Sequence, residues 1–210
     1  MLFKETVATS TLELLESLMA IPELSDFALV GGTNLALRFG HRISVDIDLF
    51  SNKPFDSNDI VPVLLNNYPS LLITSQKKSS LQCWISDIKV DIVLHEYPYL
   101  QPVDIISGLR LASTSDIVAM KLNAVSQRGA RKDFWDIAEL LDQYSLEDML
   151  QFFSSKYKMY EVFHIVRSLS YFDDADNMPA ASVIPLKNIS WTEVKNKIQV
   201  AIKKHLDNIR

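Results

Sequence analysis

The sequence has little sulfur chemistry, no long apolar run and no excess of positive charge, and each shortage excludes a class of function. Cys83 is its single cysteine, so an internal disulfide is ruled out and a reducing compartment is expected. His41 and His95 have no second histidine or cysteine at ligand spacing, which argues against a zinc site. No stretch approaches the ~18 uninterrupted apolar residues of a membrane span. The first residues carry Lys4, Glu5 and Glu13 without a long apolar segment. The chain is therefore expected to be cytoplasmic, with no secretory signal and no membrane partner. A formal net charge of −5 excludes a generic nucleic-acid coat and confines any nucleic-acid contact to a local patch. There is no internal repeat and no low-complexity tract.

What is present is an ordinary globular composition: 210 residues, 48% apolar and 22% charged. That suffices for one core, or one core with a helical annex. Ser10 and Glu13 form a candidate capping box ahead of an apolar helical stripe that ends before Pro22. "FALV" (27–30) is a short buried strand, followed by the Gly31-Gly32 turn and a helix over 33–39 capped by Gly40. From Arg42 to Phe50 the residues alternate, with Ile43, Val45, Ile47 and Leu49 on one side and Arg42, Ser44, Asp46 and Asp48 on the other. A helix over 57–67, with Ser57 as its cap, precedes strands near 71–77, 80–86 and 88–95, the last two joined by a tight Ser86-Asp87 turn. Helices are predicted over 115–126, 131–143, 146–156, 158–171 and 191–207, with a second capping box at Ser190 and Glu193. Residues 173–188 read as one long loop. A boundary near residue 112 then separates a mixed α/β half, 1–112, from an all-α half, 113–210.

Asp46 and Asp48, two apart on a strand, project to one side with Cα atoms ~6.5–7 Å apart. Like charges so placed repel, and a hard divalent cation would relieve them. Asp91, on the strand where Ile88, Val90, Ile92 and Leu94 form the apolar face, is the candidate third acid for two-metal phosphoryl chemistry. The Gly31-Gly32 turn leads into a helix N-terminus, where N–H groups attract phosphate. The bland alternative is a solvated strand face, with Asp91 an exposed acid beside Lys89.

The order strand, "GG", short helix, strand bearing "DIDLF" and later "KVDIVLH" resembles the nucleotidyltransferase superfamily with a polymerase-β-like core. More narrowly, "VGGTNLALRFGHRISVDIDLF", together with "DIVAMKLNAVSQRGARKDFWDIAELL" and the tail "SYFDDADNMP…SWTEVKNKI", is similar to the AbiEii/AbiGii group. That group supplies the toxin of abortive-infection and toxin–antitoxin pairs. The resemblance implies a mixed α/β (α+β) fold, a nucleotidyltransferase-like mixed sheet with flanking helices, followed by an all-α C-terminal bundle. It implies that Gly31 and Gly32 hold the triphosphate of an NTP. Asp46 and Asp48 would bind Mg²⁺, with Asp91 as the third carboxylate that helps to activate the attacking hydroxyl. Lys121 and Asp133 match the basic and acidic positions of later helical motifs. Gly32 stands where many relatives carry serine, and Thr33 or Ser44 is the candidate replacement. The implied acceptor is RNA, at the 3′ end of a tRNA, with a protein or an antibiotic as the alternative acceptors, and the implied partner is a cognate antitoxin.

Lys121, Arg128, Arg131 and Lys132 form the densest basic cluster. They would bind triphosphate or an RNA backbone, or else form a solvated helix–turn–helix surface in which Asp133 and Asp136 pair with Lys132 or a helix N-terminus. Phe134, Ile137, Ala138 and Leu141 are core, and Trp135 is assigned to helix packing, with base stacking as the alternative. The acidic "DDAD" (173–176) reads as capping or solvated. Two rivals from other classes are a catalytically inactive nucleotidyltransferase-fold binding protein and a metal-dependent phosphohydrolase using the same acids with water.

Overall fold

Alternation of buried and half-buried side chains sets out a single sheet in the first of two units into which the chain divides. The computed structural model describes residues 1–158 and 161–208. The sheet unit comprises Met1–Arg38 and Ser44–Ser113, and the helical unit comprises Phe39–Ile43 and Thr114–Arg210.

The sheet unit opens with α1 (Thr9–Ala20), whose Thr11, Leu14, Leu15, Leu18 and Met19 are buried at helical spacing. The expected Ser10–Glu13 capping box is absent. The helix starts at Thr9 and Ala8 is its N-cap, so Ser10 already lies inside the first turn. Then come β1 (Ala28–Leu29), α2 (Gly31–Phe39), β2 (Ile47–Ser51), α3 (Ser57–Asn67), β3 (Leu72–Lys77), β4 (Ser80–Ile85), β5 (Ile88–Leu94), β6 (Asp104–Ile106) and β7 (Leu109–Leu111). Asp56, rather than Ser57, caps α3, accepting from the Asn58 N–H at 2.9 Å.

The seven strands run in the order β3-β4-β5-β2-β1-β7-β6. The pairs β2/β5 and β1/β7 are parallel and the others antiparallel. The β4–β5 turn has Ser86 and Asp87 at φ +48° and +64°, the two positive values that a tight hairpin needs. The β6–β7 hairpin, turning through Ser107 and Gly108, was not anticipated. Leu29, Ile47, Leu49, Leu81, Val90, Ile92 and Leu111 join the α1 leucines in one core. Cys83 lies among them, where burial, helped by the charge of Asp91, pushes its thiol up to about 12. Such a thiol is inert.

The expected strand over 42–50 is only half right. Pairing begins at Ile47, and upstream the alternation inverts: Val45 is 61% exposed while Arg42 is 4% exposed. The backbone of 41–43 finds its partners in the helical unit. Ile43 N–H donates to Ile184 O, Leu186 N–H donates to His41 O, both at 2.9 Å, and Arg42 bridges Pro185.

The helical unit contains α4 (Thr114–Arg128), α5 (Arg131–Leu140), α6 (Leu146–Lys156), α7 (Val162–Leu169), α8 (Asp173–Asp176) and α9 (Trp191–Asn208). Helix α4 packs against α5, α6 and α7, and α5 packs against α9. The Ser190–Glu193 capping box is formed, with Ser190 N–H donating to Glu193 Oε2 at 2.7 Å and Glu193 N–H to Ser190 Oγ at 3.2 Å. Of the helix expected over 158–171, residues 159 and 160 lie outside the described residues, and the helix observed is α7. The segment 173–188 is not one loop. It holds α8, a short 3-10 turn at Ala180–Ser182 and the strip that pairs with 41–43. Among the described residues no helix is long and apolar enough to cross a membrane.

Candidate active site

In the sheet unit, β1 runs directly into α2, and Val30 N–H donates to Asp48 O at 2.9 Å, tying the turn to β2. Gly31 has φ +71°, and a Cβ there would run into the Asp48 carboxylate, with the Asp48 Cγ only 3.1 Å away. Glycine is required both for that backbone conformation and for that approach. Gly32 follows in the first turn of α2, where helix N–H groups suit an anion.

Thr33 and Ser44, the candidates to replace a phosphate-binding serine, are both buried. The Thr33 hydroxyl donates to the Asp46 carbonyl and shares a 2.9 Å hydrogen bond with Ser44 Oγ. The two hydroxyls thus hold the turn that delivers Asp46. Asn34, which the sequence reading missed, spans the base of the site. Its Nδ2 donates to Leu29 O at 2.8 Å and Ala112 O at 3.0 Å, and its Oδ1 accepts from Arg38 Nε at 2.8 Å. This fixes α2 to the ends of β1 and β7.

The register of β2 on β5 sets Asp48 opposite Asp91, on parallel strands ~4.8 Å apart and on the same face. Asp46 lies two residues ahead of Asp48, just before the strand. Lys89 shares their face and its Nζ lies 2.6 Å from Asp91 Oδ2. Asp91 Oδ1 is buried and has no hydrogen-bond partner, an arrangement that normally calls for an explanation. Burial opposes the charge on Lys89. The hydrogen bond to Asp91 and the charges of Asp91, Asp48 and Asp46 outweigh it, holding the ammonium above its ordinary value. Among the described residues no three His, Cys, Asp or Glu side chains are drawn together as a ready cation site. The donor set nevertheless fits Mg²⁺, because Asp91 Oδ1 is an unsatisfied oxygen beside Asp48, and hard cations take one or two carboxylates plus substrate phosphates.

Lys121, Asp133 and Arg131 belong to the other unit. Lys121 is buried, 2.9 Å from Asp133 Oδ1 and 2.7 Å from Asp136 Oδ2. Asp136 also meets His41 Nε2 at 2.7 Å, Arg42 Nε at 2.7 Å and Arg42 Nη2 at 2.9 Å. Asp133 accepts from Arg128 Nε at 2.8 Å and Nη2 at 3.1 Å. Burial opposes ionisation of both carboxylates. The charges of Arg42 and Lys121 nevertheless hold Asp136 well below the usual range, and Lys121 and Arg128 hold Asp133 below it. A solvated basic surface does not describe this cluster, because Lys121, Asp133 and Asp136 are all buried. His41 and Arg42 gave no sequence signal beyond their charge, since their partner lies more than ninety residues away.

Arg131, expected at the nucleotide, is 8% exposed. Its Nε donates to Ala175 O at 3.0 Å and its guanidinium lies 5.0 Å from the Trp191 ring centre. It therefore ties α5 to α8 and α9. Trp135 stacks on Trp191 at 5.4 Å between ring centres, a packing role. Asp176 of the "DDAD" stretch accepts from Trp191 Nε1 at 2.6 Å and Lys195 Nζ at 3.0 Å.

The family model described as nucleotidyl transferase AbiEii toxin, type IV TA system, matches residues 13–199. An uncharacterized protein of Aquifex aeolicus, aq_aa25, is 32% identical over 202 residues, covering 93% of this chain and 96% of its own. An H. pylori protein described as a nucleotidyltransferase superposes with TM-score 0.57 at 20% identity, over 97% of this chain and 99% of that one. MenT4, a nucleotidyltransferase toxin of Mycobacterium tuberculosis, superposes with TM-score 0.57 at 14% identity, over 90% and 83%. At those identities the two structures share the fold.

Proposed function

Because the chain belongs to the AbiEii nucleotidyl transferase toxin family of type IV toxin–antitoxin systems, we propose that it transfers a nucleotide from an NTP to the 3′ hydroxyl of a tRNA, with Mg²⁺ as cofactor and an antitoxin as partner. The observation that carries this reading is the glycine turn packed on Asp48, with Asp48 in register with Asp91.

Gly31, Gly32 and the first turn of α2 would receive the triphosphate through backbone N–H groups. Asp46, Asp48 and Asp91 Oδ1 would hold the cation. Bound there, Mg²⁺ screens the phosphate charge and makes the α-phosphorus more electrophilic. The acceptor oxygen forms its bond to the α-phosphorus as the α–β phosphoanhydride bond breaks. Pyrophosphate leaves with the electron pair, and the hydroxyl proton passes to solvent, the negative charge of Asp91 helping to activate the hydroxyl. Positioning and charge neutralisation supply most of the rate, as in phosphoryl transfer generally. In the helical unit Lys121 and Asp133 would act through the order of their cluster, Lys121 being held by two carboxylates.

The test is incubation with α-labelled NTPs, total RNA and Mg²⁺, followed by separation of RNA, nucleotide and pyrophosphate. Label should enter the tRNA fraction in step with pyrophosphate release, and EDTA should stop it. Release of labelled monophosphate with no labelled RNA would identify a phosphohydrolase instead. Failure to bind NTP at all would identify an inactive member of the fold.

A further inference from the structure

Lys89 has no role in the transfer chemistry above, yet it sits on the carboxylate face. It stands two residues before Asp91 on β5, so both side chains leave the same side of the strand. Its Nζ is 2.6 Å from one oxygen of Asp91, and the other oxygen is buried without a partner. The lysine side chain is 36% exposed and that of Asp91 only 15%, so the pair is partly shielded from solvent and from salt. Asp46 and Asp48 act on the same ammonium through their charge.

We infer that Lys89 is the resident counter-ion of this site: it clamps Asp91 by Oδ2, presents Oδ1 to an incoming cation, and discriminates against a divalent cation that arrives without a nucleotide. This rests on the reading of Asp46, Asp48 and Asp91 as a metal–nucleotide site. A bare dication must approach an ammonium that already neutralises one of its ligands, and the two positive charges repel. A nucleotide triphosphate brings several negative charges, which the same ammonium attracts. Lys89 thereby makes metal and nucleotide binding depend on one another, since each favours the other's occupancy. The clamp is also a positioning device, because a carboxylate fixed by one oxygen has its other oxygen aimed.

The experiment compares wild type, Lys89→Met and Lys89→Arg. Met keeps the aliphatic stem without the charge, and Arg keeps the charge. Bound Mn²⁺ is measured by electron paramagnetic resonance, alone and with a non-hydrolysable NTP analogue. Lys89→Met should bind Mn²⁺ alone about three- to tenfold more tightly than wild type. The analogue should enhance its Mn²⁺ binding by correspondingly less, and Lys89→Arg should follow wild type. Mn²⁺ binding alike in all three proteins overturns the inference. Binding by none of them, with or without analogue, instead removes the metal–nucleotide reading and the discrimination with it. A second measurement keeps the clamp testable by itself. In EDTA, Lys89→Met should lower Tm in the wild-type background and change it little in an Asp91→Asn background. Equal shifts in both backgrounds mean that Lys89 is an ordinary surface lysine.

Discussion

Two acidic groupings, one in each unit, contain similar residues in different states. In the helical unit Asp133 and Asp136 are fully buried, and Lys121, Arg128, Arg42 and His41 occupy all four of their oxygens. In the sheet unit Asp46, Asp48 and Asp91 are half-buried, and Asp91 keeps one oxygen without a partner. A closed cluster holds structure, because opening it strands a buried charge. An open one can accept a cation from outside. Two aspartates three apart on α5 and two aspartates two apart at β2 look equally like motifs on the page, and burial with pairing separates them.

The largest effect should come from the open set. Asp48→Asn should lower nucleotide transfer by about a thousandfold or more, since metal positioning is most of the proposed mechanism, while circular dichroism stays unchanged. Near-wild-type transfer by this variant would remove the distinction between the two groupings.

In the closed set, Asp136→Ala should cost about 3–5 kcal/mol of stability, because it leaves Arg42 and Lys121 buried without their shared partner. Chemical denaturation measures this. The same residue sets a pH dependence. Its folded pKa lies well below the ordinary 3.8, so its contribution is complete above the unfolded value and disappears as pH falls through the folded one. Lys121 is raised above 10.5. Its contribution is complete below that value and disappears as pH rises through the folded pKa. Stability from the cluster should therefore be flat between about pH 5 and pH 9, and Asp136→Asn should flatten the acid limb of wild type. An unchanged acid limb would mean that other carboxylates set it.

Gly31→Ala should be felt in both quantities. The left-handed backbone costs an alanine about 1–2 kcal/mol, and its methyl would displace the Asp48 carboxylate. Transfer should fall more than stability does. Proportionate losses would mean that the turn serves the fold alone. The smallest effect belongs to Arg128→Ala. The Arg128 side chain is 57% exposed and Asp133 retains Lys121, so about 1 kcal/mol is expected. A loss as large as that of Asp136→Ala would show that the cluster does not close from within.

Much of the sheet unit was legible because its signals are local. The Ser86-Asp87 turn, the period-two pattern of β5 and the Gly31-Gly32 pair that opens α2 each involve residues close together in the chain. Where strength of pattern misled, tertiary contacts had intervened. Residues 42–45 alternate as a strand should, yet residues 41–43 find their backbone partners at 184–186, and no window of ten residues contains that information. Capping was decided by small offsets: Ser190 and Glu193 frame their helix, whereas α1 begins two residues too early for Ser10 and Glu13 to do the same.

By itself the sequence determined that this chain folds as a mixed sheet followed by helices, with a glycine turn ahead of paired acids, because periodicity, caps and turn residues act on their immediate neighbours. Tertiary structure alone decided which charges meet. Strand register set Asp91 beside Asp48, and packing of α4 on α5 took Lys121 out of solvent to Asp133 and Asp136. A two-residue spacing on β5 became a clamp between Lys89 and Asp91 only because their face also carries Asp46 and Asp48. The physical reason is range. Backbone preference is settled within a turn or a strand, whereas the energy of a charge depends on whatever the whole fold brings to within a few ångströms.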